Sequence, residues 1–410
     1  MYNETLEWIE NALDSLHETG KMGSLHWRAT YTEEDHKALK LLEQWMRGKN
    51  LEVFYDDIGN LFGKIEGEQD KIVLTGSHRD TVKNGGKYDG ALGIICAIAA
   101  AGALYEEFGK PKKSVEVVAF CEEEGSRFLS GYLGSRYFVG QLSDDILLER
   151  DANGITLTEA IRHAGFSGKR AQKSLQMQKV ERFIELHIEQ GGVLEQSGEQ
   201  VGLVTSIVGL LIGKITIDGH QNHAGTTPMH LRKDPVTRAA QFITEMNQWA
   251  MAYNEAVTCT FGEIQVFPNK SNVIPGSVSL SFDIRSTSPA ILQEARMRIK
   301  NLQQQQDGFH YTLEFAAPNA PAQMDEDGLK LLEEAAKKLH LSYRKMHSGA
   351  GHDAEMVAQN IKTNMIFVPS VGGISHSPLE YSKMDDIGHG YLLLKAFLRE
   401  IAWGHEEEKA

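Results

Sequence analysis

The amino-acid sequence predicts an α/β protein in two parts: a larger domain with a mainly parallel central sheet flanked by helices, interrupted by a smaller α+β domain with an antiparallel sheet. Three observations lead there. KIVLTGSH from Lys71 and VEVVAF at Val115–Phe120 are short β-branched runs that both end in polar residues, and an Ala-rich apolar helix, Ala91–Phe108, lies between them. Strand, helix, strand in that order is the pattern of a parallel α/β sheet. Beyond about residue 210 the pattern changes to strand Ile212–Ile217, helix Pro235–Met251, strands Ala256–Val266 and Val278–Arg285, and helix Pro289–Gln305. Two further strand-like runs, FIELHIEQGG from Phe183 and MIFVPSVGGISHSP from Met365, return to the first pattern on either side of this stretch. The expected domains are therefore 1–210 with 322–410, and an inserted 211–321. At 410 residues the chain is too long for one core, which agrees with two domains.

Composition narrows the classes of function. Hydrophobic residues at 41% and charged residues at 24%, with no low-complexity tract, describe a chain that buries a core. A formal charge of −14 argues against nucleic acid or an anionic membrane as partner, since both would be repelled. The N-terminal segment MYNETLEWIENALDSLHETG is an acidic amphipathic helix without the basic start and apolar run of a secretory signal. The longest apolar stretch, near Ile94–Tyr105, falls short of the roughly 20 residues that cross a bilayer. Cys96, Cys121 and Cys259 are far apart, with no CxxC spacing, so a cytoplasmic protein without a disulfide framework is expected. No phosphate-binding glycine loop and no repeat at solenoid periods is present.

In a parallel sheet, chemistry gathers beyond the carboxyl ends of the strands. His78 ends the first strand, with Asp80 two residues on and Asp89 in a glycine-flanked turn where one carboxylate can approach two cations. His78 and Asp80 share a strand face, so Asp80 is read as the carboxylate that orients the imidazole. The next strand runs into Glu122-Glu123-Glu124-Gly125. Three adjacent carboxylates at a buried strand end repel one another unless cations are present. Glu124 is read as a ligand, and Glu123 as the general base that moves a proton from water to a leaving nitrogen. His187 and His376 come from the two remaining strand-end runs.

Taken singly, each of the 16 histidines is more often a polar core or surface residue, and an acidic triplet is more often a solvated loop. Jointly, imidazoles and carboxylates collected at several strand ends point to a pair of divalent cations, zinc or manganese, with cobalt or nickel also suited to such ligands. Two cations about 3.5–4 Å apart activate a water and polarise a carbonyl without any protein nucleophile.

The motifs GSHRDTVKNGGKYDGALG, EEEGSRF, ELHIEQGGVLE, HAGTTPM, SNVIP, FDIRS, SGAGHDA and GISHSP follow one another along nearly the whole chain. In that order the sequence resembles the M20-type metallopeptidase-like amidases of the hydantoinase/carbamoylase family, a group that cleaves N-carbamoyl compounds. The resemblance implies one cation on His78, Asp89 and His187, the other on Asp89, Glu124 and His376, with Glu123 as base. It further implies a substrate shell of Gln190, His223, Asn272, Arg285 and His352. In that shell Arg285 can clamp a carboxylate, while His223 or Asn272 can donate to oxygen that gains charge. The inserted domain is implied to act as lid and dimerisation domain, giving a homodimer in which His223 can serve the partner's site.

The implied reaction is hydrolysis of a ureido C–N bond in a small carboxylate-bearing substrate. Allantoate is placed first, going to ureidoglycine, ammonia and carbon dioxide, because EEEGSRF is nearer the allantoate enzymes; an N-carbamoyl-L-amino acid or β-ureidopropionate is the alternative. An aminoacylase or peptidase, and a binding protein without catalysis, are the readings from other classes. One position departs from the family: Arg79 stands where relatives usually have an apolar residue. It is expected to point away from the cations, since packing toward them would weaken the first site.

Overall fold

The computed structural model describes residues 2–169, 177–316 and 319–404. The chain divides into two compact units, one of Met1–Thr205, Gln323–Ser348 and His352–Ala410, the other of Ser206–Ala322 with Gly349–Gly351. The short piece Gly349–Gly351, which the sequence reading left in the larger domain, groups with the insertion.

In the larger unit the sheet runs in the order Glu52–Tyr55, Leu61–Ile65, Lys113–Phe120, Gln69–His78, Val180–Ile188, Lys362–Val368, Val201–Ile207. The four strands from Lys113–Phe120 to Lys362–Val368 run parallel to one another, whereas the pairs that flank them are antiparallel. The sheet is thus mixed, with a parallel centre. Because those four strands point the same way, the residues just after His78, Phe120, Ile188 and Val368 emerge along one edge.

Helix Ala91–Phe108 packs on three of the central strands and against helices Tyr2–Glu18 and Met384–Leu398. This explains its composition: with neighbours on several sides it is apolar around its circumference. Among the described helices it is the one with the length and composition to cross a membrane, yet 72% of that window is buried within the protein. The cysteines carry free thiols, with Cys96 and Cys121 buried.

Arg79 leaves the strand end on the face opposite His78. Its guanidinium is fully buried, meets Asp35 through Nε–Oδ1 at 2.6 Å and Nη2–Oδ2 at 3.1 Å, and donates to the carbonyls of Gly59 and Ala119. The alternation of a strand separates the two side chains.

The inserted unit is an antiparallel sheet in which Ser277–Ser286 lies beside Gly209–Asp218, and His310–Phe315 follows on the far side. Helices Pro235–Met251 and Pro289–Lys300 pack on it, each opened by a capping side chain before a proline: Asp234 accepts from Val236 N–H, and Ser288 from Ile291 N–H. Two expectations need correction. The stretch Ala256–Val266 is two strands, Val257–Thr260 and Ile264–Phe267, both on Ser277–Ser286. Three residues separate Thr260 from Ile264 while two separate their partners Asp283 and Leu280, so one extra residue bulges out and breaks the strand. The second helix stops at Lys300 and tightens into a 3-10 turn over Asn301–Gln304, which keeps Leu302 in the core.

Candidate metal centre

His78, Asp89, Glu124, His187 and His376 meet at the carboxyl edge of the parallel strands. Their donor atoms form two groups that share Asp89: His78, Asp89 and His187 in one, Asp89, Glu124 and His376 in the other. Asp89 divides its oxygens between them. Oδ1 lies 3.2 Å from both His78 Nε2 and His187 Nε2, while Oδ2 lies 3.4 Å from His376 Nε2, which is itself 3.3 Å from Glu124 Oε2. Two atoms bound tetrahedrally to one cation at about 2.0–2.1 Å stand about 3.3 Å apart, so these separations fit ligand pairs as well as hydrogen bonds.

The tautomers agree with that reading. His187 Nδ1 lies 3.0 Å from the Ile188 carbonyl and His78 Nδ1 lies 3.2 Å from the Asp80 carbonyl. A proton on each Nδ1 leaves the Nε2 lone pairs on the side of Asp89, where His187 Nε2 also accepts the Gly90 N–H at 3.2 Å. Glu124 Oε1 is buried without a hydrogen-bond partner among the described residues, so its second oxygen is also uncommitted. The donor set of imidazoles and carboxylates fits zinc, manganese or a similar divalent ion.

Electrostatics give a second argument. Burial by itself would lower the basicity of His78, but Glu123, Asp89 and Asp80 outweigh it and hold the imidazole well above its ordinary value. Burial would raise Asp89, yet hydrogen bonds with His187, His376 and His78 hold it well below the carboxylate range. His376, about half exposed, is pushed up to about 10 by hydrogen bonds to Asp89 and Glu124. A cation on these nitrogens and oxygens would compete with such protons and displace them.

The three glutamates have three environments. A positive φ of 51° at Glu122 bends the chain there and turns its carboxylate away, to accept from the N–H groups of Arg127 and Phe128, both at 2.9 Å. Glu123 reaches inward, Oε2 4.0 Å from His78 Nε2, and burial followed by the charges of Glu124 and Asp353 raises it well above the usual carboxylate value. Glu124 stands in the second group.

Asp80 behaves differently from the reading that made its carboxylate the partner of His78. That carboxylate lies 3.8 Å from His78 Nδ1 and accepts instead the N–H groups of Glu123 at 3.0 Å and Glu124 at 3.1 Å. It locks the glutamate loop, and the Asp80 backbone carbonyl is what faces His78. Removing it would leave two backbone donors unpaired, at about 1–3 kcal/mol each.

Gln190, with φ at 58°, donates from Nε2 to Asp89 Oδ2 at 2.8 Å. His352 is buried with its ring edge-on to His187 at 4.6 Å and Nε2 2.9 Å from Ser348 Oγ, so it backs a candidate ligand instead of lying open to solvent. Glu185 also approaches His187 and His352, but its two oxygens already accept from Ser77 Oγ and Ala354 N–H. Gly90 is required at its position: φ is +65°, and a Cβ would fall 2.5 Å from the His78 ring.

His223, Asn272 and Arg285 belong to the inserted unit. Strand pairing sets His223 against Val273, next to Asn272, and both are exposed. His223 Nδ1 accepts from the N–H groups of Gly225 and Thr226, which assigns its proton to Nε2. Arg285 lies on the face of its strand opposite the core, beside Asp283; Nε and Nη2 donate to the two Asp283 oxygens at 2.9 and 2.8 Å, and Nη1 to the Gly349 carbonyl at 2.8 Å.

Residues missed by the sequence reading are Ser375 and Glu380. Ser375 Oγ lies 3.0 Å from Asp89 Oδ2, and Glu380 accepts the Asp89 N–H. Their place within five residues of His376 was a signal that could have been used.

Residues 69–400 match the model of peptidase family M20/M25/M40. The chain is 40% identical over 382 residues to an allantoate amidohydrolase of Bacillus subtilis (strain 168), with 92% of each chain covered. It is 38% identical over 377 residues to an N-carbamoyl-L-amino-acid amidohydrolase of Pseudomonas sp. (strain NS671), covering 90% of this chain and 91% of that one. Among solved structures, an amidase of the hydantoinase/carbamoylase family from Burkholderia multivorans superposes with a TM-score of 0.89 at 29% identity, covering 98% of both chains.

Proposed function

The chain belongs to peptidase family M20/M25/M40, and from that membership and the shared position of Asp89 we propose a two-cation hydrolase that cleaves a ureido C–N bond, with allantoate as substrate. The observation that carries the proposal is the division of Asp89, one oxygen toward His78 and His187 and the other toward His376 and Glu124. Two divalent ions held there, zinc or manganese, would supply Lewis acidity that makes a water acidic and a ureido carbonyl electrophilic.

The chain's own groups do the rest. Glu123, whose Oε2 lies 4.0 Å from His78 Nε2 beside the ligands, takes a proton from the attacking water and passes it to the leaving nitrogen. Gln190 and Asp80 hold Asp89 and the glutamate loop in place. His223 keeps an Nε2 proton with which to donate to an oxygen that gains charge, and Asn272 adds an amide donor. Arg285, whose guanidinium Asp283 orients along its Nε–Nη2 edge, supplies the positive charge that recognises the substrate carboxylate. His352 acts from behind, by fixing the His187 ring.

An N-carbamoyl-L-amino acid carries the same carboxylate and one ureido group, and the near-equal identity to both kinds of relative keeps it as the second reading. The free thiols favour a reducing, cytoplasmic setting. Ammonia release should be measured with allantoate, with a panel of N-carbamoyl amino acids and with their uncharged amides, before and after chelation. We expect turnover with allantoate that chelation abolishes and that the amides do not support. Equal turnover of the amides would remove Arg285 from its role, and full activity after metal removal verified by elemental analysis would overturn the mechanism.

A further inference from the structure

Asp89 is gripped from a second direction by a segment almost three hundred residues away in sequence. Glu380 Oε1 accepts the N–H groups of Tyr88 at 3.0 Å and Asp89 at 3.1 Å, and Oε2 lies 2.8 Å from Ser375 Oγ. Ser375 Oγ is in turn 3.0 Å from Asp89 Oδ2. One carboxylate thus holds the backbone of Asp89 directly, and the single proton of the Ser375 hydroxyl, shared between Glu380 Oε2 and Asp89 Oδ2, connects the two side chains. The approach is close on all sides: Glu380 is 6% exposed, and a Cβ on Gly86 would fall 2.2 Å from its Oε1.

A shared ligand must present one oxygen to each of two cations, and an aspartate in a turn can lose that orientation by rotating about its side-chain torsions. The Glu380 contacts suppress that freedom at both ends of the residue. They also tie the Tyr88–Asp89 turn to the loop that carries His376, so two of the three ligands of the second group, Asp89 and His376, are linked by one buried carboxylate. We propose that Glu380, acting through Ser375, is a positioning residue that fixes Asp89 as the bridging ligand. The proposal rests on the two-cation reading above.

Glutamine at position 380 separates this role from a general need for a buried negative charge. Its carbonyl can accept both backbone N–H groups, and its amide can donate to Ser375 Oγ, leaving the serine proton for Asp89. Alanine removes every link. Manganese affinity and stoichiometry should be measured by calorimetric titration on the chelated full-length protein, alongside the melting temperature of each chelated variant. Loss of such a partner typically weakens a metal site by about 10–100-fold, and that is the loss expected for Glu380→Ala in at least one of two sites, with Glu380→Gln restored to within about threefold of the parent. If Glu380→Ala does not fold, Ser375→Ala, which deletes only the hydroxyl between Glu380 and the Asp89 carboxylate, takes its place with the same direction of change. Two manganese ions bound by the alanine variant at parental affinity would overturn the role of Glu380, as would a glutamine variant as weak as the alanine one. A parent protein that binds no manganese, zinc, cobalt or nickel would instead remove the two-cation reading itself, and this inference with it.

Discussion

Glu122, Glu123 and Glu124 are chemically identical and adjacent, and what separates them is where each carboxylate finds its partners. Backbone N–H groups hold one oxygen of Glu122, His376 approaches Glu124, and Glu123 is left beside His78 with burial raising its proton affinity. Glu123→Gln keeps the shape and removes the proton acceptor. The variant should retain the parental cation content by elemental analysis while turnover falls by about 10²–10⁴-fold. A variant within a few-fold of the parent would show that another group moves the proton.

At the scale of elements, the ion pair of Arg79 with Asp35 joins the central strand end to the first turn of helix Glu33–Gly48. Both charges are almost fully buried, so truncating one leaves the other unpaired in a poor solvent for it. Asp35→Ala should cost about 3–5 kcal/mol in urea unfolding of the chelated protein, and pairing Arg79→Met with Asp35→Leu should recover most of it. A loss below 1 kcal/mol would mean that water reaches the guanidinium.

The same contrast between local and distant contacts decides what could be read from the sequence. Helices Ala91–Phe108 and Pro235–Met251 have the bounds that an apolar run and a capped proline give, because those signals are carried by neighbouring residues. The candidate ligands were legible because a parallel sheet collects its strand ends, so each polar residue after an apolar run could be placed without knowing its partners. Asp80 was misread in part, since the strand alternation that sets it beside His78 does not say which of two nearby donors its carboxylate will choose. Glu380 was missed because its donors, Tyr88 and Asp89, lie in a loop that no spacing rule connects with it.

For the whole molecule, we propose that the inserted unit carries any self-association. Strands Val257–Thr260 and Ile264–Phe267 form one outer edge of its sheet among the described residues, and Ile264 and Phe267 are 55% and 68% exposed there. An exposed edge with apolar side chains is a template for pairing with another chain. Light scattering should give twice the 45.6 kDa mass of one chain, and Ile264→Lys with Phe267→Glu should return it to a monomer. A parent chain that elutes as a monomer across micromolar concentrations would reject the assignment.

The central sheet also constrains when the protein can become active. Strand Lys362–Val368 lies between Val180–Ile188 and Val201–Ile207, and His376 follows it. A polypeptide still emerging from the ribosome owns the first corner long before the second exists, and synthesis of the entire insertion intervenes. A chain that stops anywhere before His376 therefore lacks a member of the group that His376 forms with Asp89 and Glu124.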